Sequence, residues 1–429
     1  MDKESDELKQ FSSLCPQKIK ERCARILVMS RLSIFNQKTQ EVSAIIDIGS
    51  GSVGGCLVVN QKNPKEEKPL MVFSTRIQII LGDHASQTKD YTGPMLKSLS
   101  QVLHTLSDWS NEKQGSYKYQ IRDVLCLLAS QWCFCITEKI ENKSEKLFLI
   151  SNHFLEKSLS EAREGARSHI DMLYGDEKEN LVLVDEKVQK VYLNGYAISN
   201  FYLKNVSDFS ALVKFSYTST DLVSRLEDVI GSVWKRIDIK FSSSSTAAYV
   251  SLISLFPHVE EYLLADIASH ATEISIVRDG VLQNTISFPH GRNFLIRKFA
   301  ERLHVVPAVM ESFLKIYSKG MADEKLRAKI DRYLGEVKVE WLEAFHAALP
   351  SLSTDIILPK TFFLLAGSEL GSFFLAILEK EKYSELPFAQ EFKIIVLDRD
   401  QCATLVTLLP GVKTDPALLM GSIYLHKGK

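Results

Sequence analysis

The sequence has no long apolar run, no excess of charge of either sign and none of the common catalytic motifs. No run approaches the roughly 20 apolar residues that a membrane-spanning helix needs. The 429 residues include 52 Lys or Arg and 53 Asp or Glu, so the net charge is -1. We therefore expect no general attraction to nucleic acid and no nucleic-acid partner. The Gly-x-Ser-x-Gly elbow, the His-Glu-x-x-His zinc motif and the Gly-x-x-x-x-Gly-Lys loop are all absent.

Cysteine is sparse and irregularly spaced. No secretory signal precedes the seven cysteines, and their number is odd, so we expect reduced thiols in a cytoplasmic protein. The seven are Cys15, Cys23, Cys56, Cys126, Cys133, Cys135 and Cys402. The segment Cys133-Phe134-Cys135 alternates like a strand, which places both thiols on one face. A packing role is favoured over a metal site, which would need two more soft ligands at a suitable spacing.

The composition is that of a soluble globular protein, with 45% apolar and 24% charged residues. The length allows two or three domains. Residues 1–41 stand apart as an N-terminal segment, in which Leu8 to Phe35 can form one or two basic helices and Pro16 begins one of them. They are either a mobile tail or packed helix, which we favour, or a helix that binds a partner or contacts the membrane surface.

Two strands end in an aspartate that is followed by small residues. Asp47 ends the apolar run from Ala44, and Asp266 ends the run from Leu263; a return strand follows each turn. Glycine lets such a turn adopt φ > 0 and approach a ligand closely, and successive N–H groups then suit an anion such as phosphate. Each Asp can hold a hydrated Mg²⁺. Two such turns about 220 residues apart suggest two lobes that clamp one phosphate chain.

Hydrophobic periodicity divides the chain into a first lobe at 42–130 and 236–258, an inserted small α+β unit at 131–235, and a second lobe at 259–429. In the insertion we predict strands at 132–140, 188–198 and 209–217, and helices at 152–170 and 220–235. In the second lobe we predict helices at 293–303, 307–317, 323–349 and 370–380. Further strands are predicted at 361–365, 393–397 and 403–408.

The order of these features resembles that of the actin-like ATPases, which include actin, sugar kinases and the seventy-kilodalton chaperones. The run Asp47-Ile48-Gly49-Ser50-Gly51-Ser52 looks like their phosphate-1 motif. Asp266-Ile267 with its hairpin looks like phosphate-2, and the segment from Phe363 to Ser368 looks like the adenosine motif. The resemblance implies an α/β fold, two-lobed and of ribonuclease-H type, with an inserted small α+β subdomain.

Within that superfamily the chain looks most like bacterial FtsA and PilM, over roughly residues 42–425. The inserted unit is similar to their small third subdomain at Val191–Tyr196. The segment Ser287–Asn293 resembles the region after their second phosphate loop, where a glycine, here Gly291, precedes a helix. The resemblance implies ATP and Mg²⁺ as cofactors, with Asp47 and Asp266 holding Mg²⁺ through water. The nucleotide-binding residues it implies are Asp47, Gly49, Ser50, Gly51, Ser52, Asp266, Ser269, Thr272, Gly291, Lys315, Gly367 and Ser368.

Several positions depart from the family pattern. Ala268, Ser269 and His270 stand where two or three glycines are usual, although the hydroxyls of Ser269 and Thr272 offer replacement donors. Ser243 and Ser244 occupy the segment in which related enzymes place a Glu or Gln that orients water. Near Lys315, Ser312 stands where an acidic residue is usual, and Glu311 is one residue out of step. We therefore expect at most a weak ATPase.

Three functions follow from the resemblance. The first is an FtsA-like ATP-binding scaffold of cell division or a related membrane assembly, which self-associates and hydrolyses ATP slowly or not at all. The second is a PilM-like cytoplasmic adaptor of type IV pilus assembly, which binds the tail of a membrane protein. The third is a pseudo-ATPase that no longer binds nucleotide; a sugar kinase is least expected. We expect a cytoplasmic protein at the inner face of the cell membrane. The sequence after Ile423 is too short for an FtsA-type anchor, which favours PilM unless residues 1–41 replace that anchor.

Overall fold

A computed structural model describes residues 38–59, 68–80, 91–112, 117–174, 180–352, 358–379 and 391–428. Most of the helical segment predicted at 1–41 lies outside these ranges. Residues 38–41 are not helical, because they begin the first strand of the larger sheet. Within the described ranges, no helix is both long enough and apolar enough to cross a membrane.

The first lobe is built on a six-stranded sheet. Its strands are β1 (Lys38–Ile48), β2 (Ser52–Val59), β3 (Leu70–Gln78), β4 (Tyr117–Leu128), β9 (Asp238–Ser243) and β15 (Thr407–Leu408), in the order β15-β3-β2-β1-β4-β9. The predicted hairpin is confirmed, because β1 and β2 pair antiparallel across the Asp47 turn. Helices α1 (Thr92–Asn111) and α3 (Thr220–Val233) cover one face; α4 (Ser244–Leu255) and α10 (Pro416–Lys427) cover the other. Strands covered on both faces need the continuous apolar runs seen in the sequence.

The inserted unit is a four-stranded antiparallel sheet with one helix. It comprises β5 (Phe134–Leu149), β6 (Leu181–Leu193), β7 (Tyr196–Ala197), β8 (Asn205–Ser219) and α2 (Asn152–Tyr174), with the strand order β5-β8-β6-β7. Strands β5 and β6 are longer than predicted. The additional residues of β5, 141–149, are rich in charged side chains, which hide the strand pattern, whereas those of β6, 181–187, are four apolar residues followed by three charged ones. The helix predicted at 220–235 is α3, and its Leu222, Leu226 and Ile230 pack in the core of the first lobe rather than of the insertion.

The second lobe is built on a five-stranded sheet. Its strands are β10 (Tyr262–Ile267), β11 (Thr272–Arg278), β12 (Val281–Phe288), β13 (Thr361–Leu365) and β14 (Lys393–Val396), in the order β12-β11-β10-β13-β14. Its helices are α5 (Arg292–Leu303), α6 (Pro307–Ser318), α7 (Glu324–Ala348) and α8 (Gly367–Glu379). The helices predicted in this lobe are confirmed, with shifts of one to three residues at their ends.

One strand prediction near the C-terminal end is wrong in extent. Residues 403–408 were expected to be a strand, whereas the chain forms a short helix α9 (Arg399–Ala403) and only Thr407–Leu408 joins a sheet. A capping box explains the helix, because the Asp398 side chain accepts a hydrogen bond from the Gln401 backbone and the Gln401 side chain accepts one from the Asp398 backbone.

The two large sheets repeat one topology. The order β3-β2-β1-β4-β9 in the first lobe matches β12-β11-β10-β13-β14 in the second, and in each the first three strands are antiparallel and the last three parallel. Helices α4 and α10 pack together in a core cluster shared by both sheets. Asp47 and Asp266 therefore stand at the carboxyl ends of equivalent strands and face one region between the lobes. This arrangement confirms the predicted α/β fold with two related lobes.

Candidate functional site

A cavity of about 250 Å³ lies between the lobes, where the two Asp turns meet. It is smaller than the 300–1,000 Å³ usual for small-molecule pockets. Nine of the twelve residues predicted to bind nucleotide line it. They are Asp47, Gly49, Ser50, Gly51, Ser52, Asp266, Ser269, Lys315 and Gly367. Most of the residues predicted to bind nucleotide therefore line one common cavity.

The other three predicted residues have different surroundings. Thr272 is fully buried, and its hydroxyl donates to the carbonyl of His290 at 2.8 Å, so its role in the structure is packing. Gly291 lies against the second loop, where a Cβ atom would come within 2.4 Å of the Ala268 carbonyl. Glycine is needed there for close backbone approach. Ser368 is in the first turn of α8, and its side chain lies outside the described part of the chain.

The first loop is a tight turn closed by a hydrogen bond from the Gly49 N–H to the Ser52 carbonyl at 3.0 Å. Neither Gly49 nor Gly51 has a positive φ, so our expectation of a left-handed turn is wrong. Steric room is the reason for Gly51: a Cβ atom there would lie 2.2 Å from the Cβ of Ser269. The glycine allows the two loops to touch.

The second loop bonds directly to the first. The backbone N–H of His270 donates to the hydroxyl of Ser50 at 3.1 Å. Ser269 is buried against Gly51. The groups expected to surround a phosphate chain, a loop amide and a serine hydroxyl, are thus bonded to each other across the lobes.

Asp47 is held by an arginine that we did not identify from the sequence. The guanidinium of Arg76, on β3, contacts Asp47 at 2.7 Å and the Asp415 carboxylate at 2.8 Å, and it donates to the Ser52 hydroxyl at 3.0 Å. Gly54 lies opposite Arg76 in the sheet, and a Cβ atom on Gly54 would be 2.6 Å from the guanidinium. A glycine inside a strand is the sequence signal for such a close approach.

Arg76 also organises the start of α10. Asp415 is the N-cap of that helix and accepts a hydrogen bond from the Leu418 N–H. The pKa of Asp47 is raised by burial, while the charge of Arg76 acts in the opposite direction. The phosphate-1 aspartate is therefore part of a structural ion pair, in a position where the family resemblance implied a hydrated metal.

Asp266 differs from Asp47 in that it has no cationic partner in the described part of the chain. Its carboxylate lines the cavity and forms no hydrogen bond or ion pair with the described residues. Burial, followed by the negative charges of Glu273 and Asp47, raises the pKa of Asp266 to about 8. Glu273 lies directly opposite it on β11, and its own pKa is raised by burial. This carboxyl group is predominantly protonated at neutral pH unless a cation approaches it.

The far end of the cavity is formed by helices of the second lobe. Lys315 pairs with Glu311 at 3.1 Å across one turn of α6, and both line the cavity. Glu311, one residue out of step with the family pattern, therefore faces the cavity beside Lys315, whereas the Ser312 hydroxyl bonds back to the Ala308 carbonyl. Gly367 begins α8 with a φ of +66°, which favours glycine.

The segment expected to orient water offers only hydroxyls. Ser244 lines the cavity, and its Oγ is buried without a hydrogen-bond partner among the described residues. Its neighbour Ser243 caps α4 by accepting a hydrogen bond from the Thr246 N–H. Glu260 and Glu261, the nearby acidic residues, are exposed in the loop before β10. Across the described ranges no group of three or more His, Cys, Asp and Glu side chains is arranged to hold a metal ion.

These residues fit Mg-ATP at one end of the cavity only. The Lys315 end has the charged pair and the glycine implied by the resemblance. At the opposite end, which we call the phosphate end, the first loop (Gly49–Ser52) contacts the second (Ala268–His270), and Arg76 binds Asp47. A triphosphate with its metal would have to separate these groups before it could bind.

Comparison with solved structures gives the fold. The chain is similar to PilM in a PilM-PilN type IV pilus biogenesis complex, with a TM-score of 0.54 and 12% identity, over 90% of this chain and 98% of that one. It is also similar to the ethanolamine utilization protein EutJ from Carboxydothermus hydrogenoformans, with a TM-score of 0.40 and 10% identity, over 90% of each chain. No family model and no curated protein matches the sequence. This similarity gives the chain the two-lobed α/β fold of PilM, in agreement with the fold that the sequence predicted.

Proposed function

We propose that the protein is a non-hydrolysing adaptor with an actin-like fold, which binds the cytoplasmic segment of a membrane protein in a PilM-like assembly. One observation carries the first half of this proposal. The two phosphate loops are joined by the His270–Ser50 hydrogen bond and by the contact of Gly51 with Ser269. A protein that turns over ATP needs these groups to face the phosphates.

Charge at the phosphate end supports the same conclusion. Asp47 and Asp415 share the Arg76 guanidinium, so a phosphate near the first loop meets two carboxylates, although Arg292 also lines the cavity. Each loop hydrogen bond that a phosphate displaces costs about 0.5–1.5 kcal/mol, and desolvating a phosphate beside the carboxylates costs more. A triphosphate would therefore have to displace existing protein contacts in this cavity before it could gain new ones.

The inserted unit carries the surface that we assign to a partner. Leu147 is 70% exposed and Leu203 is 59% exposed. They belong to neighbouring segments, because Leu149 pairs with Asn205 and the Leu203 N–H bonds to the Ile150 carbonyl. An exposed apolar surface of this kind is typical of an interaction site. The related fold of PilM, solved in complex with PilN, supports a protein segment as the partner.

The first test measures the binding and hydrolysis of nucleotide. We expect 1 mM ATP with Mg²⁺ to leave the melting temperature unchanged within about 1 °C, and we expect no phosphate release above background. A ligand present at 100 times its Kd would add about 2.7 kcal/mol, which is easily detected. A Mg²⁺-dependent rise of several degrees would contradict the proposed absence of tight nucleotide binding.

The second test measures the binding of a partner peptide. Cytoplasmic peptides of the membrane proteins encoded beside this gene are titrated against the full chain by fluorescence anisotropy. We expect one peptide to bind and the Leu147→Ser/Leu203→Ser double variant to weaken it at least tenfold. Val306→Ser is the matched control, because Val306 is 62% exposed on the second lobe. Equal loss in the control, or no loss in either variant, would reject this surface.

A second function remains in competition because Asp266 presents a carboxylate without a partner among the described residues. A bound cation would lower the raised pKa of Asp266 and stabilise its carboxylate. This carboxylate therefore favours an FtsA-like switch that binds ATP and Mg²⁺ and self-associates. That function predicts Mg²⁺-dependent stabilisation and a nucleotide-dependent increase in sedimentation coefficient. Membrane contact through residues 1–41 is a separate prediction, and liposome flotation with and without that segment tests it.

A further inference from the structure

A cluster of polar and nucleophilic side chains lies where the inserted unit meets both lobes. Cys135, near the start of β5, faces Ser216 on β8, and its Sγ is 3.6 Å from the Ser216 hydroxyl. Lys214 is two residues from Ser216 on the same strand, so strand alternation places it on the same face. The hydroxyl of Ser245 donates to the same sulfur at 3.9 Å. The thiol of Cys135 is thus surrounded by hydrogen-bond donors.

Lys214 is a buried cation with neutral direct partners. Its side chain is 2% exposed, and its Nζ donates to the hydroxyls of Ser243, Ser245 and Thr246 at 2.8, 2.8 and 2.7 Å. These bonds satisfy the donors but supply no negative charge. A buried charge without an opposite charge is costly. The anionic form of a neighbouring group therefore gains stability from Lys214.

Four titratable groups surround this lysine. Asp185 and Glu273 are carboxyls whose pKa values are raised by burial, so they are poor counter-ions. The other two are Cys133 and Cys135. A hydrogen bond from Cys133, together with the charge of Lys214, holds the pKa of Cys135 well below its usual range, although burial acts against it. The pKa of Cys133 is raised, first by the same hydrogen bond and then by burial, so Cys133 keeps its proton.

The sulfur of Cys135 can be reached from solvent. Cys133 and Cys135 both line a cleft of about 1220 Å³, which β12 and the end of α7 close on the other side. Cys135 is partly exposed, whereas Cys133 is 3% exposed. An accessible thiolate next to a protonated second thiol is the arrangement found in cysteines that react with oxidants.

We propose that Cys135 is a reactive thiolate that is oxidised by peroxides, and that Cys133 is the thiol that resolves the product. The thiolate sulfur attacks one peroxide oxygen, the O–O bond breaks, and with one proton taken up the products are a sulfenic acid and water. The Cys133 sulfur then attacks the sulfenic sulfur, the S–O bond breaks, and water leaves as the disulfide forms. Peroxide is the oxidant, and its two electrons come from the two thiols.

Lys214 distinguishes this chemistry from metal binding. Two neighbouring thiols otherwise suit a soft cation, but an ammonium within the cluster repels a cation and favours an anionic or electrophilic reactant. Cys133 directly precedes β5, and residues two apart in an extended segment are about 6.7 Å apart at Cα, which is at the upper limit for a disulfide. The disulfide should therefore be strained and readily reduced by dithiothreitol.

Alkylation of the folded full-length protein tests the thiolate. The rate of iodoacetamide addition is followed by peptide mass spectrometry between pH 9 and pH 6.5. We expect the rate at Cys135 to fall less than threefold, whereas a thiol with a pKa of about 8.5 loses roughly eightyfold. Cys402 is the internal control, because it is fully buried and burial raises its pKa to about 12, so it should stay unmodified. A fall at Cys135 parallel to that of an ordinary thiol would overturn the proposal.

Oxidation and two variants complete the test. Peroxide should remove two hydrogens from the single peptide that contains both Cys133 and Cys135. The Cys133→Ser variant should accumulate a dimedone-reactive sulfenic acid instead. The Lys214→Met variant should restore an ordinary pH profile at Cys135. Because that variant removes a buried group, its melting curve is recorded first; the wild-type profile decides the question if it does not fold. Overoxidation without the disulfide would reject Cys133 as the resolving thiol.

Discussion

Replacing Arg76 by methionine tests whether the arginine takes the place of a cation between Asp47 and Asp415. Methionine keeps the length and apolar stem of the side chain but removes every donor. The variant loses the ion pairs to both carboxylates and the hydrogen bond to Ser52. It leaves two carboxylates facing each other at the base of the cavity.

The expected loss of stability follows from the burial of these groups. The side chains of Arg76, Asp47 and Asp415 are 24%, 9% and 30% exposed. Removing one partner from a fully buried ion pair costs about 3–5 kcal/mol. Since two of the three groups here reach solvent, we expect about 2–4 kcal/mol. Urea denaturation, followed by tryptophan fluorescence and by circular dichroism, measures the change.

A double-mutant cycle separates the ion pair from general damage. Asp47→Asn is made alone and together with Arg76→Met. Hydrogen bonds to charged groups contribute about 1.5–3 kcal/mol, so the coupling energy between the two positions should lie in that range. A coupling energy below about 0.5 kcal/mol would show that the pair is not formed in solution.

The effect of Mg²⁺ on the stability of the Arg76→Met variant provides a second test. With Arg76 gone, Asp47 and Asp415 are free to bind a hard cation. A site with a Kd of about 1 mM would add about 1.4 kcal/mol at 10 mM Mg²⁺. We expect this gain in Arg76→Met and not in the wild type, with NaCl of equal ionic strength as the control. Equal stabilisation of both proteins by Mg²⁺ would refute the idea that Arg76 occupies the cation position.

Three further predictions concern Asp266, Gly51 and the contact of the inserted unit with β12. Because the pKa of Asp266 is raised to about 8 from its usual 3.8, the folded state holds a proton that the unfolded state loses. Stability should therefore fall as the pH rises from about 4 to 8, by at most about 1.4 kcal/mol per unit, and Asp266→Asn should flatten this dependence in urea titrations at several pH values. Gly51→Ala should cost about 1–3 kcal/mol, because its Cβ would lie 2.2 Å from that of Ser269, whereas Gly93→Ala has open space and should cost nothing. Gln189→Ala should lower the melting temperature by a few degrees, because the Gln189 amide makes two hydrogen bonds to one backbone position on β12 at 2.8 and 3.1 Å.

The parts of the fold that the sequence predicted well are those governed by local patterns. Apolar runs that end in Asp and small residues identified both hairpins, and 3.6-residue periodicity identified the helices of the second lobe. The strand residues 141–149 were missed, because side chains in a solvated sheet carry charge and lack a continuous apolar run. The residues 181–187 were missed although Leu181–Val184 are apolar, because three charged residues follow them and interrupt the run. The C-terminal strand was overestimated, because the capping box at Asp398 and Gln401 stabilises a helical turn instead.

The contents of the site were harder to predict, because they depend on contacts between distant segments. Arg76 meets Asp47 through the register of β2 and β3, which places it opposite Gly54. Asp415 arrives from a helix 339 residues after Arg76 in the sequence. Neither contact leaves a local pattern. The glycine at position 54 was the one available signal, and alone it does not specify which side chain fills the space.

The repeated topology explains why the two aspartates differ. In the first lobe Asp47 pairs with Gly54 on the next strand, and Gly54 pairs with Arg76 on the third. In the second lobe the equivalent of Gly54 is Glu273, which lies opposite Asp266. On the third strand the equivalent of Arg76 is Ser287, which pairs with Glu273. The first lobe therefore has a cation on the third strand beside its aspartate, and the second lobe has an acid on the second strand beside its own. Because the backbone arrangement is equivalent, side-chain choice alone makes the first carboxylate an ion-pair member and the second a carboxyl that holds its proton near neutral pH. This asymmetry supports the proposed adaptor, because Asp47 already has a cation and Asp266 has no ion pair with the described residues.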